Sequence, residues 1–205
     1  MWLNLFVFVT VAVIVAMTWS EGFWGNALTF INTVFAAMIA TNLFEPVADF
    51  LEGQAPGFTY FCDFLSLWLV FSVVLGVLRV ITDQFSETRL RFKIPVEQAG
   101  RALFGLLTAW IVVCFFVFSL HTAPLARHCF GKAFGASPMA TNFLMTPDRL
   151  WLGFMQSRSE TTFSRAQPVI FDPESDFILK YGQRRYQFQN LSKMTIDTRG
   201  RGRRR

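Results

Sequence analysis

The chain has 205 residues, 53% of them hydrophobic and 17% aromatic, with 25 phenylalanines and only 16% charged side chains. Soluble domains run nearer to about 25% charged, so an ordinary water-soluble globule is excluded as a description of the whole chain. Residues 1–120 carry five Lys/Arg against eight acids, a net of −3, while residues 121–205 carry fourteen against six, a net of +8. That division marks a membrane part followed by a basic tail.

A spanning helix needs roughly 20 apolar residues to cross about 30 Å of hydrocarbon. The first span is expected over 3–19, inside an uncharged stretch from Met1 to Ser20. No Lys or Arg precedes it and no Ala-x-Ala follows, which favours a retained span over a cleaved signal peptide. The second, over 23–44, is uncharged but wetter, with Asn26, Thr29, Asn32, Thr33, Thr41 and Asn42. Glu45-Pro46 is expected to close it, because proline disfavours helical geometry in the residue before it. An acidic connector over 45–57 follows, with Pro46 opening a short interfacial turn that runs to Glu52.

The third span is expected over 61–81, with Asp63 near one end and Arg79 near the other, each within reach of the interface. The fourth, over 103–122, lies in the charge-free stretch Ala102–Ala126 and ends at Pro124. Between them Arg89, Arg91 and Lys93 alternate with Leu90, Phe92 and Ile94. That period of two fits an extended segment with its apolar face on the bilayer and its cations on anionic head groups, or simply a charged connector.

Beyond Pro124, prolines at 138, 147, 168 and 173 punctuate the chain. Asp148–Met155, just after Pro147, is the one stretch there that reads as a short amphipathic helix. The Gly/Arg run Arg199–Arg205 has no apolar surface to bury and is expected to be disordered. The fold class is therefore an all-α membrane protein: a bundle of about four transmembrane helices over 1–122, then a basic, largely irregular tail over 123–205.

Orientation follows Lys/Arg near span ends. Arg79, Arg89, Arg91, Lys93 and Arg101 cluster around the 82–101 connection, whereas the other two connections and the N-terminus carry none. The 82–101 loop is thus expected in the cytoplasm and both termini outside. Arg127 and Lys132 pull weakly the other way.

Helices in lipid associate through small residues and interhelical hydrogen bonds. Asn26, Thr29, Thr33, Ala36, Ala37 and Ala40 share one stripe of the second span, with Asn32 beside it. Ser72, Gly76, Arg79 and Asp83 form a stripe on the third, and Gly100, Gly105 and Ala109 open the fourth. Facing one another, these residues would line a hydrophilic path for an ion or small solute, or pin the helices together. A path through spans so few would require a homo-oligomer.

Catalytic chemistry has little foothold. His121, His128 and Cys129 are the one cluster with ligand chemistry, and it lacks a fourth ligand and the spacing of a zinc site. There is no Gly-rich phosphate loop, no G-x-S-x-G elbow and no H-E-x-x-H. Cys62, Cys114 and Cys129 are widely separated and imply no disulfide framework. Glu45, Asp49 and Glu52 are helix-spaced and read as a solvated face. Neither an enzyme nor a bound metal or cofactor is expected. The terminal basic run has no interleaved aromatics to stack bases, so anionic lipid or a protein partner suits it better than nucleic acid, and an inert solvated tail suits it better still.

The order of parts resembles the colicin V production protein family over about residues 1–122. The resemblance is carried by Ser20-Glu21-Gly22-Phe23-Trp24-Gly25, by Ala36, Ala37 and Ala40, by Leu78-Arg79, and by Gly100-Arg101-Ala102-Leu103-Phe104-Gly105-Leu106-Leu107. Among these residues Gly22, Gly25, Gly100 and Gly105 read as helix-packing positions, since small residues let helices approach closely in lipid. The resemblance implies a multi-pass protein of the bacterial inner membrane, non-enzymatic, associated with production of a secreted peptide toxin or with envelope homeostasis. The alternative is a small channel or transporter.

Overall fold

A computed structural model describes residues 2–54, 59–86, 93–125, 146–160 and 171–190. Among these residues six α-helices follow in order: α1 (Trp2–Thr18), α2 (Gly22–Gln54), α3 (Thr59–Phe85), α4 (Ile94–Thr122), α5 (Pro147–Glu160) and α6 (Phe177–Asn190). There is no strand among the described residues. Three helical stretches, Leu5–Gln54, Thr59–Phe85 and Ile94–Thr122, are long and apolar enough to cross a membrane.

The first of these folds back on itself. A 3₁₀ turn, Trp19–Glu21, leads into Gly22, whose φ of +81° and ψ of 175° suit only a residue without a Cβ. Before the turn, Phe6 lies 5.1 Å from Phe116 and Thr18 abuts Gly105 of α4. After it, Phe23 packs on Gly100 and Phe104, and Phe30 on Phe104. α1 therefore runs antiparallel to α4, and α2 runs parallel to it. α3 returns antiparallel to α2, with Arg79 at Glu21 and Thr82 at Asn32. The result is an up-down-up-down bundle.

Aromatic packing fixes the rotation of α3 and α4. Phe71 stacks on Phe115 at 4.7 Å, and Trp68 meets both rings edge-on at 5.6 and 5.5 Å. Ala36, Ala37 and Ala40 of α2 are fully buried against this aromatic layer. A second cluster, Val113, Val117 and Leu120, carries α1 through Val7 and Val11.

Two boundaries differ from the sequence expectation. α2 runs through Pro46 to Gln54 as one helix of 33 residues. Ala37, Thr41, Phe44 and Ala48 repeat at helical spacing and are all buried, so tertiary burial outweighs the single backbone hydrogen bond lost at Pro46. α4 starts at Ile94 instead of 103, with Pro95 in its first turn, where a missing N–H costs nothing.

The tail differs more. α5 matches the short helix expected after Pro147, but α6 was hidden in the basic stretch. Trp151, Met155, Phe177 and Tyr181 from these two helices are buried in the same core as α2, α3 and α4. Phe177 stacks on Phe118 at 5.0 Å. The described part of the tail is thus helical and caps the end of the bundle where α4 finishes. Arg89, Arg91, His128, Cys129 and the 199–205 run lie outside the described residues.

Candidate functional site

The polar side chains of the bundle gather in two seams, one at each end. The first lies where the α1–α2 turn meets the end of α3 and the start of α4. Arg79 forks onto Glu21, Nη2 to Oε1 at 2.8 Å and Nη1 to Oε2 at 3.1 Å. The same Nη1 donates to Thr29 Oγ1 at 2.8 Å, and Thr29 donates to Glu21 at 2.9 Å. Arg79 Nε donates to Asp83 at 3.1 Å across one turn of α3. Asn32 Nδ2 donates to Thr82 Oγ1 at 2.9 Å, and Trp24 Nε1 to Ser86 Oγ at 2.7 Å. Apart from Arg79–Asp83 within α3 and Thr29–Glu21 between α2 and its own turn, these bonds join α2 or that turn to α3 or to Ser86 just after it, and together they stitch α2 to α3.

α4 closes this seam from the other side. Glu97, in its first turn, accepts from the backbone N–H of Phe23 at 2.9 Å and from Arg101 at 3.2 Å. A carboxylate at the start of α2 satisfies a free helix donor and complements the helix dipole. Asn26, 1% exposed, donates to the Arg101 carbonyl at 3.3 Å, and its Oδ1 accepts no hydrogen bond. Thr33 is buried and bonds back to the Thr29 carbonyl.

Glycines set how close the helices come here. A Cβ on Gly100 would lie 1.6 Å from the ring of Phe23, and one on Gly22 would lie 2.8 Å from Glu97 Oε1. Gly105 and Gly25 are tight too, at 3.0 Å from Thr18 Oγ1 and 3.1 Å from Glu21 Cβ. The 1.6 Å separation is from a ring wedged between two helices, so the α2–α4 approach depends on Gly100.

Ser72 and Gly76 do not join this arrangement. Both are exposed, and a Cβ on Gly76 would meet nothing within 4 Å. The reason is rotational: Trp68 and Phe71 turn their face of α3 onto Phe115, which sends the 72–76 face outward. Arg79 and Asp83, lower on the same stripe, meet Glu21 and one another through the length of the arginine arm. The stripe drawn from spacing alone is thus split, its polar end engaged and its small-residue end on the outside.

The second seam is the one the sequence concealed. Arg184 of α6 pairs with Asp63 of α3, reaches Glu52 of α2 at 3.3 Å, and donates to the Thr59 carbonyl at 2.9 Å. Its guanidinium also lies 5.7 Å from the Tyr60 ring and 5.9 Å from that of Tyr181. Tyr181 hydrogen-bonds Asp63, and burial together with that carboxylate pushes its phenol far up, so it stays a donor. Lys180 lies 3.6 Å from Glu45. Of the acidic face read as solvated, Glu52 and the largely exposed Glu45 thus meet cations of α6, while Asp49 stays exposed. The opposite net charges of the two halves were the signal; their pairing needed the fold.

α5 is held by similar means. Trp151 Nε1 donates to Thr41 Oγ1 at 3.1 Å, and His121 Nε2 lies 3.0 Å from Asp148. Burial pushes the Asp148 carboxyl up, but the His121 hydrogen bond and charge and the Arg149 amide outweigh it and hold the group below its ordinary value. His121 is thus a structural partner, and among the described residues no three His, Cys, Asp or Glu side chains are placed to hold a metal.

Fold and seams together define a class: a helical bundle with membrane-length apolar helices, whose polar residues bond one helix to the next. Residues 3–145 match the family model described as colicin V production protein. The chain belongs to the colicin V production protein family. That family is not known as enzymatic. No curated protein matches the chain, and no solved structure does.

Proposed function

We propose that the chain is a non-enzymatic component of the bacterial inner membrane that crosses it four times and serves toxin production or envelope homeostasis by presenting surfaces to partners. In this reading α1 to α4 are the spans. The α1–α2 turn and the α3–α4 connection with its cations face the cytoplasm. The α2–α3 connection, the C-terminal helices and the N-terminus face outward.

The observation that carries the reading is how the polar stripe is used. Thr29, Asn32 and Arg79 bond to one another's helices, and Ala36, Ala37 and Ala40 are sealed in an aromatic core. A conducting path needs polar groups left to face water, and this bundle spends them on packing. Its outer end is further capped by α5 and α6. The body therefore offers faces and a basic tail, not an opening.

The test is flux of ions and small solutes through purified protein in liposomes, wild type beside the Asn26→Leu/Thr29→Leu variant. Both should give no flux above empty liposomes. Flux in the wild type that the variant loses would overturn the reading and make the stripe a lining.

A further inference from the structure

A groove of about 420 Å³ opens on the side of the molecule between α2, α4 and α5. Ile31, Phe35, Trp110, Cys114, Trp151 and Phe154 line it. Ile31 and Phe35 stand on its rim, nearly half exposed. α5 lies across the upper end, tied at its start by Asp148 to His121 and near its end by Ser159 to Phe171.

A cation stands at that end. Arg158 lies with its guanidinium carbon 5.9 Å from the centroid of the Phe154 ring. Its Nε is buried and donates to nothing, and its Nη2 reaches only Ser157 Oγ, at 3.5 Å. Among the described residues no carboxylate lies within ion-pair distance of it. A buried donor without an acceptor is costly, and a guanidinium is shaped to take two oxygens of one phosphate.

We propose that the groove is a phospholipid site, taking one acyl chain against Trp110 and Trp151 and the phosphate of an anionic head group on Arg158. The inference rests on the bundle standing in a bilayer. There, α5 lies at the level where its Arg158 side chain meets head groups. A second copy of the chain suits the groove less well. Lipid tails are as apolar as leucine, so helices associate in lipid through small residues and polar contacts. Around this groove the rim is Ile, Phe and Leu, and the small residues of α2 already face the interior. Arg158 beside an apolar trough complements an anionic lipid better than a like-charged twin.

Native mass spectrometry of the full chain, released from micelles holding equal phosphatidylglycerol and phosphatidylcholine of the same acyl chains, tests this. One retained phosphatidylglycerol should exceed phosphatidylcholine by roughly fivefold, the effect of one cation at an anionic surface. Arg158→Gln should bring the two to parity, and Arg158→Lys should keep part of the preference. Ile31→Trp, which fills the groove, should abolish retention of both. Equal retention in the wild type, a preference unchanged in Arg158→Gln, or a lipid-free dimer mass would each overturn the site. Flotation of the chain with liposomes separates the two levels: failure to float would refute the bilayer placement itself, whatever the micelles retain.

Discussion

Gly100 shows how much a single hydrogen can decide. Replacing it with alanine would put a methyl carbon inside the ring of Phe23, and neither α2 nor α4 can withdraw without opening the Glu97–Phe23 cap. Overpacking of this kind costs about 1–3 kcal/mol. Gly100→Ala should therefore lower the thermal midpoint in detergent, while Phe23→Leu in the same chain should recover much of the loss by removing the ring. Equal destabilisation by Gly100→Ala with and without Phe23→Leu would show that the ring is not what the glycine accommodates. Gly105→Ala, with only a threonine hydroxyl nearby, should be milder.

Between helices, the bonds of α5 are the most sensitive to solution conditions. Asp148 is held below its ordinary pKa by His121 and the Arg149 amide. A depressed carboxylate contributes stability that is fully present above its unfolded value, about 4. That contribution is lost as the pH falls through the lowered folded value. α5 should stay docked from neutral pH down to about 4 and release below it. The emission of Trp151, taken as wild type minus Trp151→Phe, should report a red shift in that acid range. Asp148→Asn should remove the acid step. An identical step in Asp148→Asn would place the titration elsewhere.

The helices themselves were largely legible from composition, because runs of apolar residues that long have few other fates. α1 lies within a residue of its expected bounds. The failures were at charged or proline-bearing ends. Pro46 reads locally as a stop, yet Phe44 and Ala48 on its two sides are buried by the rest of the fold, which no local rule contains. The site was legible in part. Thr29, Asn32 and Arg79 were recognisable as interior polar groups, and the glycines as points of close approach. Their partners were not: Glu21 lies 58 residues from Arg79, and Arg184 lies 121 from Asp63. The outward turn of Ser72 and Gly76 is decided by aromatic rings elsewhere on α3.

At the scale of the molecule, the two halves of the sequence answer each other. A bundle with a net of −3 is covered at one end by helices from a tail with a net of +8. Glu45, Glu52 and Asp63 meet Lys180 and Arg184, and Asp63 is buried enough that losing its arginine would leave an uncompensated charge. α5 and α6 are therefore part of the folded body. In the proposed four-crossing arrangement, the α1–α2 turn and the C-terminal helices lie on opposite sides of the membrane.

Cysteine labelling at two exposed positions tests that claim most directly. In a chain with Cys62, Cys114 and Cys129 replaced by alanine, Ser20→Cys and Glu174→Cys would each be probed with an impermeant maleimide on intact spheroplasts. Glu174→Cys should label at once, and Ser20→Cys only after the membrane is opened. Labelling of both on intact spheroplasts, or of neither, would put the two positions on one side and contradict the four-span bundle.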